Sequence, residues 1–251
     1  MTERATNAPD ITDDAILNGR LRVFQPRRGH RFGHDAILLA AAVPAKTGDR
    51  VAEFGAGVGA AGLALLSRVP GLDATLYERD PALSGLAQQN IARNGFAAVA
   101  RAVTHDITAI SPERNLDHVF MNPPFNNANL QPSPDPARRS AHQASQDLLA
   151  GWVRSAHGAL HDGGTVTLIW RAEGLAEVTA ALTEGFGAVT VLPIYPAPRR
   201  VANRVIANAR KGANAPLRML PPLVLNGSDL RPTADAEAIL RQGAALPIAQ
   251  S

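Results

Sequence analysis

The sequence predicts an α/β fold: a mostly parallel sheet covered by helices on both faces and ending in an antiparallel pair. Three observations carry this expectation. Apolar runs of strand length alternate with helical stretches from residue 50 to residue 194, the pattern of strand–helix–strand units. A glycine-rich turn, Gly55-Ala56-Gly57-Val58-Gly59, joins the first of these runs to its helix. The last two runs, 188–194 and 199–207, are linked only by Tyr195-Pro196-Ala197-Pro198, too short for the crossover that parallel neighbours require.

Composition sets the outer bounds. The chain has 251 residues, 45% apolar and 19% charged, enough for one core with appended segments and marginal for two. It is read as a single unit over 1–251, with an N-terminal segment 1–45, a core 46–211 and a tail 212–251. The absence of cysteine excludes disulfides, thiolate catalysis and Cys-based zinc sites. Residues Met1 to Asp14 are polar and acidic, unlike a secretory signal, and no apolar run approaches transmembrane length. The expected location is therefore the cytoplasm, with no membrane partner.

In chain order, Leu21 to Gln25 alternates as a short exposed strand does, and Pro26 and Gly29 break it. Asp35 is placed to cap a helix over 36–42, which Pro44 ends. Gly48-Asp49 turns into a strand over 50–54, and the glycine turn leads to a helix over 60–69. A strand over 74–78 closes on Glu78, a helix follows over 81–94, and a strand over 99–105 runs up to Asp106. Residues 116–121 form a buried strand ending at Asn122. A proline- and serine-rich loop is expected over 126–146, long enough to be a lid or disorder. Asp147 then caps a helix to Leu160, Asp162-Gly163-Gly164 turns into a strand over 165–170, and a helix over 173–184 precedes the antiparallel pair. The tail is irregular apart from a helix over 235–242.

The segment Asn122-Pro123-Pro124-Phe125 stands at the centre of this layout. Proline fixes its own φ and drives the preceding residue out of the helical region. Asn122 is thereby held extended at a strand end. Asn-Pro also opens ordinary turns, but here a side-chain carbonyl, a backbone carbonyl and an aromatic ring converge. Those are the groups that a flat, conjugated NH2 needs: two acceptors for its N–H bonds and a face to stack on. In a parallel sheet, ligands bind at the carboxyl ends of the strands. Gly55 to Gly59, Glu78, Asp106 and Asn122 fall at four such ends in succession. A glycine turn brings backbone N–H groups and a helix amino end to a ligand, and a carboxylate closing the next strand can accept both hydroxyls of a ribose. Gly57-Val58-Gly59-Ala60-Ala61-Gly62 also fits a dinucleotide fingerprint with Glu78 downstream, so a nicotinamide-dependent oxidoreductase is the competing reading. It leaves Asn122-Pro123-Pro124-Phe125 and the antiparallel pair without a purpose.

The formal charge of +3 is unevenly spread. Arg20, Arg22, Arg27, Arg28 and Arg31 lie between Asp14 and Asp35 with no acid among them. Arg199, Arg200, Arg204, Arg210, Lys211 and Arg218 lie between Glu184 and Asp229, again with none. Two acid-free basic stretches are the footprint of a polyanion partner, and arginine suits bidentate phosphate contact better than lysine.

Together these motifs resemble the class I S-adenosylmethionine-dependent methyltransferases, and within them the bacterial tRNA (adenine-N6)-methyltransferases that modify the adenosine 3′ of the anticodon in a valine tRNA. The closer likeness is carried by 25–32, 34–39, 199–211 and 220–224. Glu53 stands where that family usually opens its glycine motif with Asp, and His34 where it more often has a small or hydroxyl residue. The resemblance implies a Rossmann-like, seven-stranded sheet and S-adenosylmethionine as cofactor. Glu53, Gly55, Ala56, Gly57 and Gly59 would hold its methionine part, Glu78 and Arg79 would flank its ribose, and Asp106 and Ile107 would meet its adenine. Arg31 and Asp35 would belong to the covering segment. Asn122, Pro123, Pro124 and Phe125 would bind the amine being methylated, with Asn122 also beside the cofactor. That amine would be adenine N6 of tRNA or, as the alternative, a protein glutamine, an rRNA adenine or a DNA adenine; an inactive RNA-binding module is a further alternative. Arg27, Arg28, Arg199, Arg200 and Arg204 would contact tRNA. No metal is implied.

Overall fold

The computed structural model describes residues 10–29, 31–109, 114–124 and 136–250, with backbone only over 136–146. A hairpin of β1 (Ile11–Ile16) and β2 (Leu21–Pro26) comes first, then α1 (His34–Ala42). The alternating core follows as β3 (Arg50–Phe54), α2 (Ala60–Arg68), β4 (Asp73–Glu78), α3 (Pro81–Arg93), β5 (Ala100–Thr104), β6 (Leu116–Met121), α4 (Pro136–Ala159), β7 (Leu160–Arg171), α5 (Leu175–Thr183), β8 (Phe186–Tyr195) and β9 (Arg204–Lys211). The tail adds β10 (Arg218–Met219), β11 (Leu223–Val224) and α6 (Ala234–Leu240).

The large sheet has the order β10-β8-β9-β7-β6-β3-β4-β5, with β11 also pairing β8. Strands β5, β4, β3, β6 and β7 run parallel, while β9 is antiparallel to both β7 and β8. The expected seven strands and antiparallel pair are therefore present, and two two-residue strands from the tail lengthen the β8 edge. Each strand divides its side chains between two cores, as alternation requires. Ile169 packs on the α1–α2–α3 side, and Leu168 and Trp170 pack against α4 and α5 on the other. No helix among the described residues is long and apolar enough to cross a membrane.

Several expectations are corrected. The acidic start is not a bare polar segment: residues 11–16 form β1, whose Asp13 and Asp14 pair with Arg22 and Arg31. Strand β2 is less exposed than expected, with Val23 fully buried. Its outer edge is met by a helix, where Asn90 of α3 bonds both the N–H and the C=O of Phe24 and Asn94 does the same for Arg22. Asp35 does not cap α1. Gly33 occupies that position, and the Asp35 carboxylate accepts from Arg204 instead. Helix α4 begins at Pro136, so Asp147 lies inside it rather than at its start. Proline suits a first helical turn, and the alanines, arginines and glutamines after it are good helix formers. The remainder of the expected loop, 126–135, lies outside the described residues. Strand β9 starts at Arg204, not Arg199, because Pro196 and Pro198 carry the turn on to residue 203. Strand β7 takes in Asp162-Gly163-Gly164 through a register shift instead of turning there.

Candidate active site

Register places the sequence-predicted groups at one level. Phe54 lies opposite both Tyr77 and Met121, and Tyr77 opposite Val103. The residues that follow, Gly55, Glu78, Thr104 and Asn122, thus leave the sheet side by side, at roughly 4.8 Å per strand.

The glycines in the turn have separate reasons to be there. Gly55 has φ +68, and a Cβ on it would overlap the indole of Trp152 from α4. Gly59 has φ +84, and a Cβ on it would stand 2.9 Å from the Leu76 side chain, while a Cβ on Gly62 would stand 2.8 Å from Glu53 Oε2. Both let α2 lie close on the sheet. Gly57, at φ +56, differs: a Cβ there would enter open space. Its left-handed backbone favours glycine, but no side chain presses on it, which leaves room for a ligand lying against the turn. Ala56 is buried and ties the turn to β4 by donating its N–H to Tyr77 O at 2.9 Å.

Two carboxylates back this turn. Glu78 accepts from Gly57 N and Asp80 N, both at 2.9 Å. Its oxygens are thereby oriented, each with lone-pair capacity to spare. Glu53 is only 5% exposed and accepts from Gly62 N at 2.7 Å, at the amino end of α2. Burial pushes its carboxyl up to about 8, the Glu78 charge adds to the rise, and the Gly62 bond opposes it. A cation entering the site would favour the ionised form.

Asp106 is exposed beyond β5 and accepts from the backbone N–H and hydroxyl of Thr108 at 2.9 and 2.7 Å. Those bonds, with the Arg79 charge beside it, hold its carboxyl below the usual range. Ile107 is buried next to it, and Arg79 is exposed at the end of β4. At the end of β6, Asn122 Oδ1 is shielded from solvent and has no hydrogen-bond partner among the described residues. Pro123 after it is buried and Pro124 exposed, while Phe125 lies outside the described residues. A buried acceptor left empty costs about 1–3 kcal/mol, so its retention at a strand end needs a reason.

Arg31 and Asp35 are each held by partners within the protein. Arg31 donates to Asp14, Thr12 and Pro26 O in the hairpin, and Asp35 pairs with Arg204 at 2.8 Å. The arginines named as tRNA contacts also divide. Arg27 is paired with Asp10 and Arg204 with Asp35, whereas Arg28, Arg199 and Arg200 are exposed. Folding thus brings acids to stretches that lack them in sequence. His118 bonds Thr165 Oγ1 at 2.6 Å and Asp49 Oδ2 at 3.0 Å. That Thr–His–Asp line lies at the amino-terminal edge, opposite the cleft, and burial lowers the histidine. It is a packing device. Sequence reasoning did not find Asp80, Trp152 or the Gly62 amide, which act through position alone. The Pro81 that opens α3 behind a capping Asp80 was the available signal for the first.

A "predicted O-methyltransferase" of Agrobacterium tumefaciens is 28% identical, with a TM-score of 0.72 over 84% of this chain and 98% of that one. A Thermus thermophilus 16S rRNA N2 methyltransferase, solved with AdoMet and guanosine, superposes at TM-score 0.55 with 23% identity over 80% of this chain and 50% of that one. A curated relative, the tRNA1(Val) (adenine(37)-N6)-methyltransferase of Flavobacteriaceae bacterium (strain 3519-10), is 24% identical over 131 residues. That match takes in 52% of this chain and 57% of the relative, little more than half of its length. The cleft agrees with such a cofactor: a bare glycine turn, two buried carboxylates and an empty acceptor at consecutive strand ends. The oxidoreductase reading falls away. The methyltransferase small domain family matches residues 30–194, and the chain belongs to it, an S-adenosylmethionine-dependent methyltransferase with a Rossmann-like class I fold.

Proposed function

We propose that this chain methylates N6 of an adenosine in tRNA, with the position 3′ of the anticodon of a valine tRNA as its target. The observation that carries the reading is the empty, shielded Oδ1 of Asn122 at the end of β6. The name of the curated relative supports the substrate.

Bound, the cofactor supplies an electrophilic methyl on a cationic sulfur. The protein's part is to hold and align. Glu78, fixed by Gly57 and Asp80, would take the ribose hydroxyls, Asp106 would take the adenine amine, and Ile107 and Arg79 would line that end. The Gly55–Gly59 turn and Glu53 enclose the amino-acid end. The amine to be methylated is a poor nucleophile because its lone pair is spread into the ring. Asn122 Oδ1 and the Pro123 carbonyl accept its two N–H bonds, which favours pyramidal nitrogen and aligns the lone pair. Alignment and such transition-state bonds account for most of the rate. Phe125 stacks on the flipped base. The nitrogen takes the methyl with a neutral thioether as leaving group, and only then, as a strong acid, gives one proton to water. A hydroxyl, which the name of the Agrobacterium protein suggests for that relative, must lose its proton to a base as it attacks, and the Asn122 carbonyl is not one.

The test is transfer of radiolabelled methyl from S-adenosylmethionine to total tRNA, followed by nucleoside mass spectrometry. N6-methyladenosine is the expected product. Label in protein glutamine, or none in tRNA, sinks the proposal. A salt series on tRNA binding completes it: Arg199→Ala with Arg200→Ala should flatten the slope by about one unit per lost phosphate contact.

A further inference from the structure

Beside Asn122 the sheet rises. Met121 lies level with Leu168, Leu168 with Ala207, and Ala207 with Val191. Strand β7 continues from that level to Arg171 and β8 to Tyr195. Counted from Asn122, the wall therefore overtops the site by roughly 7–10 Å at about 3.3 Å per residue.

Two turns crown it. One is the β8–β9 turn, 196–203. The other is a small hairpin, 226–232, which the tail brings up alongside β8. Asn226 donates its backbone N–H and its side-chain amide to Pro196 O, at 3.2 and 2.8 Å. The hairpin is closed by Gly227 N to Arg231 O at 2.8 Å and Leu230 N to Gly227 O at 3.1 Å. At the two tips, Val201 is 84% exposed and Leu230 78%. Arg199 and Leu230 both hold left-handed backbone, φ +59 and +62, which is unfavourable for L-residues other than Asn or Asp. An apolar side chain kept in water on a strained backbone stabilises nothing in the free protein, and such strain gathers at functional sites. The arginines here differ from those neutralised elsewhere. Arg199 and Arg200 have no ion pair among the described residues, and Arg231 is 86% exposed with only a 3.9 Å approach to Asp229.

We infer that hairpin 226–232 is a second RNA-contact element, forming one lip with turn 196–203. Leu230 and Val201 pack on a base unstacked beside the target, and Arg199, Arg200 and Arg231 meet the phosphates. Apolar wedges with flanking arginines are a recurring way to hold deformed nucleic acid. Strand β8 lies three strands from β6, roughly 14 Å, or about four nucleotides at ~3.4 Å each. The inference rests on the tRNA reading above.

The test uses the full chain with Leu230→Ser, Leu230→Gly and Arg231→Gln. Leu230→Ser should raise the KM and Kd for tRNA about 10-fold, with kcat within about twofold and cofactor affinity unchanged. Arg231→Gln should reduce the log–log salt slope of tRNA binding by about 0.7. Leu230→Gly removes the strain, so the melting temperature should hold or rise while tRNA affinity falls. A purely structural leucine would lower melting temperature and cofactor affinity together, and that result overturns the inference. If wild type methylates tRNA and both side-chain variants match it, the hairpin alone is excluded. If wild type neither binds nor methylates tRNA, the lip falls with the function reading.

Discussion

Replacing Glu53 by Gln isolates one proton. Glutamine keeps an acceptor for the Gly62 N–H, which Glu53 Oε2 meets at 2.7 Å, and removes the titration. In the folded chain burial holds this carboxyl near 8, against an ordinary 4.5. Between those values the folded state carries one proton more than the unfolded state, so stability falls as pH rises through the window. The slope is about 1.4 kcal/mol per pH unit, and the whole span is at most roughly 5 kcal/mol. Below 4.5 and above 8 this contribution is level. Other groups titrate too. Burial lowers His118 and His157, which makes stability rise with pH on the acid side of the ordinary histidine value, and hydrogen bonds raise His161 with the opposite sign. Subtracting the variant's profile from that of wild type removes them. Thermal melts at closely spaced pH values from about 5 to 9 should show wild type losing ~3–6 °C per unit relative to Glu53→Gln across the window. Parallel profiles would refute this reasoning: the carboxyl would then be ionised in the folded chain, and the glycine turn would rest on a charge.

Three further outcomes follow from the cleft. Asn122→Ala should cut turnover by about 10²–10³ while calorimetric affinity for S-adenosylmethionine stays within about threefold, and a collapse of affinity would make Asn122 structural. Glu78→Ala loses its bonds to Gly57 and Asp80 as well as those proposed to the ribose, so cofactor binding should weaken by about 1.5–3 kcal/mol, and unchanged affinity removes it from the site. Gly55→Ala adds a clash with Trp152 to the strain of its φ +68, whereas Gly57→Ala at φ +56 meets the strain alone, so the first should lower the melting temperature by several degrees more than the second, which should also weaken cofactor binding. Equal effects on melting would contradict the separate roles given to the two glycines.

Much of this architecture was legible because strand periodicity is local. Leu116–Met121 and Arg50–Phe54 are found where their apolar runs put them, and four strand ends with polar or glycine residues imply one cleft whatever the loops do. What was not legible depends on partners distant in sequence. Asp35 reads as a helix cap because nothing nearby names Arg204, 169 residues away, as its partner. The basic stretches look like an unbroken phosphate surface until Asp10, Asp13 and Asp14 arrive from the first strand. Helix α4 was started too late because prolines and serines before residue 136 colour the whole segment, although the residues after it favour helix. The emptiness of Asn122 Oδ1 can be seen only once its surroundings are assembled.

The docking of the N-terminal hairpin on α3 works like a vernier. Residues four apart on a helix are separated by about 6.0 Å, and alternate residues of an antiparallel strand by about 6.8 Å. The two scales nearly coincide over one interval, so Asn90 and Asn94 can each read one rung, Phe24 and Arg22. A third rung would fall out of step: the next position along β2 is Pro26, which lacks an N–H, and the residue four before Asn90 on α3 is Leu86, whose side chain has no amide. The hairpin can therefore engage in one register only. Asn90 also donates to Val58 O within the glycine turn, so a slip of the hairpin is felt at the cofactor cleft, and the correct alignment of the first strands is proof-read by the same side chain that steadies the site.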